Sequence, residues 1–508
     1  MSAFADAVAR VPALLAGHVL VSAAALALGI AVGLPLAVAS ARRPALARVA
    51  LGSASLVQTI PSLALLALFY PLLLAIGGLP ALGFLPSLLA LTLYSLLPIL
   101  RNGVAGLTGI DPAVLEAADA VGMTPWQKLV RVEAPLALPV AVAGIRTAAV
   151  WTIGAATLAT TVGWSTLGDL IFAGLQTQAW ALVLAGCVAA AALALAADAL
   201  IGLVERGIRT RRRWLAWGAA ALLALGTAAA TAPRWIGGGG DRPTVVVGAK
   251  NFSEQYILAR LIGHRLEHAG YRVVYRDGLG SAVVFGALAN GAVDVYVDYA
   301  GTIWTGAMAR TDAPPAATMV PAIGAWAART QGTRLVGALG FENAYAFAMR
   351  GTEARAKGIA TLDDLAAASP GLALGSDLEF LERPEWAAVK RAYPMRFARA
   401  TPFSPTFMYR ALASGSVDVI SAFSSDGRIA ADRLTVLADP RHAIPRYDAI
   451  LLAAPARAHD ARFVAALRPL VGRIPVAAMR QANYLVDRDA DKRTPDEAAR
   501  WLEARLGL

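Results

Sequence analysis

The chain has 508 residues, 57% of them hydrophobic and only 16% charged, and its mean hydropathy of +0.55 is too high for an ordinary soluble protein. The formal net charge is +11, but the basic residues form arginine-rich clusters beside apolar runs, so they indicate membrane topology and we expect no nucleic-acid partner. The single cysteine, Cys187, excludes a framework of disulfide bonds.

Apolar runs fill the chain up to about residue 240, and six of them are long enough to cross a bilayer as helices. They lie near 18–40, 54–77, 82–100, 136–160, 179–203 and 214–232. Residues 1–210 therefore predict an all-α polytopic membrane domain, and residues 211–243 predict a sixth span followed by a glycine-rich tether.

Basic residues concentrate in every second loop between these runs. They are Arg42, Arg43 and Arg48 after the first run, Arg101, Lys128 and Arg131 after the third, and Arg206, Arg209, Arg211, Arg212 and Arg213 after the fifth. Because cytoplasmic loops carry an excess of lysine and arginine, we expect these loops in the cytoplasm. The N-terminus, in which we see no cleavable signal peptide, and everything after Gly237 are then expected outside.

Residues 110–135, between the third and fourth runs, predict two short helices joined by a glycine. A capping side chain followed by proline starts each helix, at 111–112 and at 124–125. Gly122 is expected to end the first helix in the left-handed conformation, and Pro135 to stop the second helix before the next span.

The second of these helices presents an apolar face with a basic rim. The apolar residues are Trp126, Leu129 and Val130, and the basic residues are Lys128 and Arg131. An exposed face of this kind suits a protein partner, although an amphipathic connector at the membrane surface has the same pattern.

The order Glu116, Ala117, Ala118, then Gly122 and Pro135, resembles the EAA loop of ABC-importer permeases, with Val132 and Ala134 in place of the usual Ile and Leu. QTIPSLALLAL, residues 58–68, also resembles the second-span signature of the quaternary-amine importer branch. The resemblance implies that these five residues dock on a cytoplasmic ABC ATPase and that two copies of the chain form the pore as a homodimer. The ATPase must be a separate subunit, because the chain has no G-x-x-x-x-G-K-[ST] loop.

The remaining residues, 244–508, alternate between strand and helix patterns, which predicts an α/β domain with mostly parallel sheets. PRWIGGGGDRPT, residues 233–244, predicts a flexible tether before it. TVVVGAKNF then predicts a buried strand ending in a loop, followed by a helix that Ser253 caps and Gly270 ends.

One pattern occurs twice in this domain, as ALANGAVDVYVDYAGT and as ALASGSVDVISAFSSDG. Each copy predicts a helix end with glycine, a short strand, and an aromatic residue in the loop after the strand: Tyr299 in the first copy and Phe423 in the second. Ligands of open α/β sheets bind at that position. The repeat therefore predicts two lobes, about 244–346 with 448–508 and about 347–447, whose rings face a shared cleft. Rings that each pack in the core of their own lobe are the alternative.

A cleft of facing rings suits a quaternary ammonium group, which has no N–H to donate and carries a diffuse positive charge. Several short motifs in this order resemble the substrate-binding proteins of glycine betaine, carnitine and choline importers. They are GAKNFSEQYIL (248–258), DVYVDYAGT (294–302), ENAYAFAM (342–349), FLERP (380–384), AFSSDGRI (422–429) and PRYDA (445–449). The resemblance implies a two-lobed fold like that of periplasmic binding proteins.

The resemblance also assigns site residues. The aromatic cage is assigned to Tyr299, Tyr345, Phe423 and Tyr447. The groups that hold the ligand's polar end are assigned to Lys250, Thr302 and Arg383, and Asn343 is assigned to the pocket lining. Arg383 can bind a carboxylate through two parallel hydrogen bonds, whereas a solvated surface charge is the alternative for Arg383 and Lys250. Phe423 stands where the family usually has a tyrosine, so the identity of the ligand is left open.

Together these resemblances imply the permease and substrate-binding subunit of an ABC importer for a quaternary ammonium compound such as glycine betaine, choline or carnitine. The protein is expected in the bacterial cytoplasmic membrane, with its binding domain outside. It is not expected to be an enzyme, and no catalytic residue, metal site or cofactor is assigned. An importer of ergothioneine with the same architecture is one alternative. A membrane-anchored chemosensory receptor is an alternative from another class, but it would have one or two spans and a cytoplasmic signalling region, and the sequence shows neither.

Overall fold

The computed structural model describes residues 2–508 except 77, 178, 237–241, 311, 313, 378–379, 404 and 489. The chain divides into two compact units, residues 1–172 with 181–240 and residues 173–180 with 241–508. All the strands described lie in the second unit, so the order of a helical part followed by an α/β part agrees with the sequence.

Eleven helices precede the first strand among the described residues. They are α1 (Ser2–Ala9), α2 (Val11–Ala41), α3 (Pro44–Thr59), α4 (Ser62–Ile76), α5 (Phe84–Thr108), α6 (Pro112–Ala120), α7 (Pro125–Lys128), α8 (Ala134–Ala156), α9 (Gly168–Gln176), α10 (Trp180–Arg209) and α11 (Arg213–Ile236). Leu129–Glu133 is π-helical, and Thr157–Val162 is a 3₁₀ helix.

Five helical stretches of the described chain are long and apolar enough to cross a membrane, and α3 with α4 makes a sixth if that bent pair counts as one span. The second predicted span, 54–77, is therefore wrong as a straight helix, because α3 and α4 meet at 102°. Pro61 explains the break: it has no N–H to donate, and it holds Ile60 in an extended conformation with φ −72° and ψ 126°.

Helix α5 lies against both α2 and α8. Glycine permits this close approach: a Cβ on Gly29 of α2 would lie 2.0 Å from the Oγ of Ser95. Similarly, a Cβ on Gly144 of α8 would lie 2.6 Å from the carbonyl oxygen of Pro98. Small residues at helix crossings are the usual means of packing spans inside a bilayer.

Helices α6 and α7 are the pair predicted between the third and fourth spans. Asp111 accepts a hydrogen bond from the Ala113 N–H at 2.9 Å, and Gly122 has a φ of +75°, as expected. Pro135, however, does not stop the second helix, which continues through the π-helical segment into α8. The wider π turn pairs the Ala134 N–H with the Leu129 carbonyl, and the next residue, a proline, has no N–H that needs an acceptor.

The second unit contains ten described strands. They are β1 (Thr244–Lys250), β2 (Arg272–Leu279), β3 (Val295–Tyr299), β4 (Arg334–Glu342), β5 (Tyr345–Arg350), β6 (Ala373–Asp377), β7 (Arg399–Phe403), β8 (Val419–Phe423), β9 (Leu434–Val436) and β10 (Asp448–Ala453). The helices around them are α12 (Ser253–His268), α13 (Ser281–Ala289), α14 (Ala300–Thr302), α15 (Ala316–Gln331), α16 (Gly351–Lys357), α17 (Leu362–Ala368), α18 (Pro384–Ala392), α19 (Pro405–Ala413), α20 (Arg428–Ala431), α21 (Ala461–Leu467), α22 (Val476–Asp487) and α23 (Pro495–Leu506).

The strands form two sheets of five, in the orders β2-β1-β3-β10-β4 and β7-β6-β8-β5-β9. The first sheet with its helices is the first lobe, and the second sheet with its helices is the second lobe. The prediction of mostly parallel sheets is wrong, because β3 pairs antiparallel with β10 and β8 pairs antiparallel with β5. Strands that have just crossed from the other lobe enter each sheet in the opposite direction, which produces mixed sheets.

The chain crosses between the lobes twice, through residues 343–344 between β4 and β5 and through residues 437–447 between β9 and β10. The two crossing segments touch, because the Asn343 N–H donates to the Tyr447 carbonyl at 3.0 Å. They therefore form the connection about which the two lobes can move.

The repeated sequence occupies the same place in both lobes, since β3 and β8 are each the middle strand of a sheet. The aspartate that both copies of the repeat contain makes the same kind of hydrogen bond in each lobe. Asp294 accepts the Val246 N–H of β1 through its side chain at 2.7 Å, and Asp418 accepts the Ala373 N–H of β6 at 2.7 Å. The repeat therefore encodes the junction between the middle strand of each lobe and the parallel strand beside it.

Two local predictions need correction. Ser253 does not cap α12, because its hydroxyl donates instead to Asp487 Oδ1 at 2.5 Å. The predicted tether begins later than expected, because residues 233–236 belong to α11, and its glycines at 237–240 lie outside the described residues.

Candidate functional site

Tyr299 and Phe423 are the last residues of the middle strands β3 and β8. The repeat predicts them in the loops that follow these strands, so the strands are longer than predicted. Both residues line a cavity of about 120 Å³ between the two lobes. Its walls are Lys250, Asn251, Phe252, Ser281, Tyr299, Thr302, Asn343, Tyr345, Asp377, Arg383, Phe423 and Tyr447. Every residue that the sequence assigns to the ligand is in this set.

The rings of the second lobe form a continuous aromatic wall. Tyr345 of β5 lies directly opposite Phe423 of β8 in the antiparallel register, and the ring centroids are 5.2 Å apart. Tyr447, in the second crossing segment, stands edge-on to Tyr345 at 5.8 Å with the ring planes at 86°. Ring faces and edges of mixed orientation around one space are the arrangement that hosts a methylated cation.

Phe252 is a further ring at this cavity, and the sequence assignment misses it. It stacks on Tyr299 of the first lobe at 6.1 Å and on Phe423 of the second lobe at 6.5 Å. The residue lies two positions after the end of β1, between Lys250 and the start of α12. An aromatic residue just beyond a strand's carboxyl end is the signal that could have identified it, as it did for the repeat.

The hydroxyls of two cavity tyrosines donate to buried carboxylates. Tyr299 donates to Glu254 Oε1 at 2.6 Å, and Tyr447 donates to Glu385 Oε1. Burial and the adjacent carboxylate raise the pKa of each phenol well above its usual value. Both rings therefore stay neutral and keep the negative ring face that attracts a cation.

Gly301 is what allows Tyr447 to reach the cavity. A Cβ at this position would lie 2.6 Å from the Cε2 atom of the Tyr447 ring, so no other residue fits without displacing the ring. The sequence Asp-Tyr-Ala-Gly-Thr at 298–302 thus provides the Tyr299 ring and, through Gly301, leaves space for the Tyr447 ring.

Arg383 stands at one edge of the aromatic wall. Its guanidinium carbon is 5.8 Å from the centroid of Tyr345, and its Nη1 is 4.0 Å from Glu385 Oε1. The side chain is only 16% exposed, so the alternative of a solvated surface charge is wrong for Arg383. Thr302, half-buried in the short helix after Tyr299, lines the same cavity.

Lys250 is also buried rather than solvated, but its charge is already engaged. Its Nζ lies 2.5 Å from Asp298 Oδ1, and the two side chains are 2% and 1% exposed. The Tyr296 hydroxyl donates to the other Asp298 oxygen at 2.5 Å, and the Lys250 Nζ is 5.3 Å from the Tyr299 centroid. The geometry therefore favours a role for Lys250 in fixing the floor of the cavity beside Tyr299.

The predicted docking segment forms a second candidate site, in the helical unit. Glu116, Ala117, Gly122 and Pro135 are exposed, whereas Ala118 is buried. The two short helices are fastened together by a salt bridge from Lys128 Nζ to Asp119 Oδ1 at 2.7 Å. Val121 and Trp126 are each 72% exposed, so the segment presents an apolar surface.

Comparisons with known proteins match both parts of the chain. Residues 243–504 match the family described as the substrate-binding domain of ABC-type glycine betaine transport systems. Residues 29–210 match the family described as the inner membrane component of binding-protein-dependent transport systems. The second match leaves the chemosensory-receptor alternative without support.

Among curated proteins, the chain is 29% identical over 469 residues to an ergothioneine transport permease/ergothioneine binding protein of Helicobacter pylori (strain G27), covering 89% of this chain and 82% of the relative. It is 41% identical over 191 residues, 38% of this chain and 85% of the relative, to a glycine betaine/carnitine/choline transport system permease protein of Bacillus subtilis (strain 168). A solved glycine betaine/carnitine/choline ABC transporter structure covers 51% of this chain and 98% of its own, at 27% identity and a TM-score of 0.45.

Proposed function

The chain belongs to the family of substrate-binding domains of ABC-type glycine betaine transport systems, fused here to a permease, and from this membership we propose that it imports a quaternary ammonium compound. The fused parts make it a multi-pass protein of the cytoplasmic membrane, with the binding domain on the outer side. It acts as a transport subunit and not as an enzyme.

The observation that carries the proposal is the set of rings around the interlobe cavity. Tyr299, Tyr345, Phe423 and Tyr447 come from both lobes and a crossing segment, and all four line the same cavity. A trimethylammonium group has no N–H or O–H with which to satisfy polar walls, so its best host is several ring faces in van der Waals contact. Each such face contributes roughly 0.5–2 kcal/mol.

The polar end of the ligand is assigned to Arg383 and Thr302. A guanidinium binds a carboxylate through two parallel hydrogen bonds, which suits glycine betaine and carnitine, and a threonine hydroxyl adds one more donor. Lys250, paired with Asp298, lines the same cavity beside Tyr299. Asn343, 7% exposed in the first crossing segment, also lines the cavity.

Transport then requires partners that the chain does not contain. A cytoplasmic ABC ATPase would bind the docking segment at Glu116, Ala117, Ala118, Gly122 and Pro135, and two copies of this chain would form the pore. Because α7 and α8 make one continuous helical stretch, Pro125–Val162, a displacement of the docking surface would move a membrane span directly. This is alternating access, with ATP hydrolysed in another subunit.

An ergothioneine importer is a second candidate function. The relative from Helicobacter pylori that carries this name aligns over 89% of the chain, across both the permease and the binding domain. Ergothioneine has the same trimethylammonium and carboxylate groups as a betaine, so the rings and Arg383 would bind it in the same way. Its imidazole-thione ring would need further space in the cavity.

Uptake by cells tests the proposal. The chain, expressed with its cognate ATPase in a strain without other betaine carriers, should take up at least one of radiolabelled glycine betaine, choline, carnitine or ergothioneine. Excess unlabelled methylated compound should compete, whereas the matched unmethylated compound, such as glycine against glycine betaine, should not. Uptake of none of the four, or equal competition by the unmethylated compound, would rule the proposal out.

A further inference from the structure

Glu254 is a buried carboxylate behind the aromatic cavity, and no sequence motif assigned it a function. It lies in the first turn of α12 and is 2% exposed. Oε1 accepts hydrogen bonds from the Tyr299 hydroxyl at 2.6 Å and from Asn343 Nδ2 at 3.1 Å. Oε2 accepts from Asn483 Nδ2 at 2.8 Å. One side chain thus holds three donors.

These donors lie in the first lobe and at its junction with the second lobe. Tyr299 ends the middle strand of the first lobe, and Asn343 lies in the first crossing segment. Asn483, on α22, also donates to the carbonyl of Ser425 at 2.9 Å, and Ser425 follows Phe423 of the second lobe by two residues. Glu254 therefore connects one cage ring with the crossing segment and, through Asn483, with the second lobe.

The contact between α22 and the second lobe is close. Arg480 Nε donates to the Ser424 carbonyl at 2.7 Å, and a Cβ on Gly427 would lie 2.5 Å from the Arg480 carbonyl oxygen. A change in the angle between the lobes cannot leave this contact as it is. It acts on Asn483 through the hydrogen bond to the Ser425 carbonyl, and the same amide nitrogen donates to Glu254.

Burying the charged carboxylate of Glu254 also costs free energy. Among the residues that the structure describes, no lysine, arginine or histidine forms an ion pair with it. Burial raises its pKa, and the hydrogen bonds from its three donors, together with the nearby Ser425 side chain, only partly offset that effect. Buried carboxylates of this kind concentrate at functional sites, since a purely structural position is filled at lower cost by an apolar or amide side chain.

Space for rearrangement lies directly beside it. A second cavity of about 60 Å³, on the other side of Phe252, is lined by Glu254, Asn343 and Asn483 among others. The two asparagine side chains therefore have room to change partners when the lobes move.

We propose that Glu254 is a positioning residue that couples the Tyr299 ring of the ligand cavity to the arrangement of the two lobes. When the lobes are closed, its three hydrogen bonds hold the ring in the orientation that faces the ligand. Ligand contact at the ring and lobe closure then stabilise each other through one carboxylate. This inference rests on the ligand site proposed above.

A double-mutant cycle in the full-length protein, reconstituted in lipid nanodiscs, tests the coupling. Glu254→Gln keeps the shape but replaces one acceptor oxygen with a donor, and Tyr299→Phe removes only the hydroxyl. Asp460→Asn is the matched control, because Asp460 also accepts from a tyrosine hydroxyl, that of Tyr271, but lies in the first lobe and lines neither cavity. The probe is whichever of glycine betaine, choline, carnitine and ergothioneine binds the parent most tightly by calorimetry.

We expect Glu254→Gln and Tyr299→Phe each to raise the Kd about fivefold, and the double variant to be no more than about twofold weaker than either single variant. Asp460→Asn should leave the Kd within about twofold of the parent, alone and combined with Tyr299→Phe. Fold-changes of Glu254→Gln and Tyr299→Phe that multiply in the double variant would overturn the proposal.

A ligand-free measurement separates this inference from the proposed function. Spin labels at the exposed positions Arg329 of α15 and Arg391 of α18, in a Cys187→Ala background, report the distance between the lobes. Glu254→Gln should broaden this distance distribution, and Asp460→Asn should not. If the parent binds none of the four probes, the proposed ligand class fails while this arm still decides the inference: an unchanged distribution in Glu254→Gln overturns it.

Discussion

Phe252 of the first lobe and Phe423 of the second lobe lie with their ring planes parallel to within 2° and their centroids 6.5 Å apart. The pair spans the two lobes beside the cavity, and both rings line it. At the proposed ligand site, this contact between lobes lets each ring stabilise both a bound cation and the closed arrangement.

The first prediction concerns Phe252. Phe252→Ala should weaken ligand binding about tenfold, near 1.4 kcal/mol, because one ring face and the interlobe stack are lost together. Phe285→Ala is the control, since Phe285 stacks on Trp326 at 5.7 Å and is not among the cavity residues. Calorimetry that finds both variants equally impaired, or neither, would contradict a ligand contact at Phe252.

The second prediction distinguishes cation attraction from packing at Phe423. Phe423→Tyr should change the Kd less than about threefold, because the ring face remains. Phe423→Leu should weaken binding by roughly 1–2 kcal/mol, because leucine fills space but has no quadrupole. Equal tolerance of tyrosine and leucine in the same titrations would place this ring in the core of its lobe and leave the repeat as a record of fold symmetry.

How much of this site could be predicted from the sequence depends on how local each signal is. The rings at 299 and 423 follow from a repeated pattern of helix end, strand and aromatic residue, which the structure places at equivalent middle strands. Glu254 could not be identified in this way, because its donors Tyr299, Asn343 and Asn483 lie 45, 89 and 229 positions away in the chain. No spacing rule connects such residues before the fold does.

As with the site, only part of the fold could be predicted from the sequence. The apolar runs predict the spans because length and composition decide whether a helix can cross a bilayer. Bends and strand direction are harder: Pro61 breaks the second span, and the antiparallel entry of β5 and β10 depends on where the chain crosses between lobes. The proline was a usable signal, whereas the sequences of the strands do not show where the chain crosses between the lobes.

The third prediction concerns ligand selectivity at Arg383. Arg383→Ala should weaken glycine betaine at least about tenfold and choline less than about threefold, because only the former has a carboxylate for the guanidinium. Arg383→Lys should recover part of the loss, since a lysine keeps the charge but not the two parallel hydrogen bonds. Calorimetric Kd values that rise equally for the two ligands would show that Arg383 supports the wall beside Tyr345 and does not bind the carboxylate.

The fourth prediction separates docking from binding. Gly122→Asp and Glu116→Lys should abolish ligand uptake by cells while the Kd of the purified chain stays unchanged. Gly358→Asp is matched to the glycine change: both glycines are exposed with nothing within 4 Å of an added Cβ, and their φ values are +75° and +67°. Because Gly358 lies in the second lobe, its variant should still transport. Normal uptake with either docking variant would contradict the assigned surface.

The fifth prediction follows from Asp487. Burial raises the pKa of Asp487 to about 6, an effect that nearby Arg428 opposes. Between the ordinary carboxyl value and this raised value, the folded state holds a proton that the unfolded chain has released, so its stability falls as the pH rises through that window. Asp487→Asn removes the loss. The variant should melt roughly 2–6 °C above the parent at pH 7.5 and close to the parent at pH 4. A gain that is larger at pH 4 would reverse the sign of this account.

Titration calorimetry of the full-length chain with paired methylated and unmethylated ligands tests the central claim most directly. The account predicts that glycine betaine, choline, carnitine or ergothioneine binds at one site per chain with a Kd of about 1 µM or lower, equivalent to about 8 kcal/mol or more. The unmethylated counterpart of that ligand should bind at least about a hundredfold more weakly, because it loses the ring contacts of its methyl groups and must desolvate its N–H donors. No binding of any of the four compounds, or equal binding of the unmethylated counterpart, would contradict a cation site built from these rings.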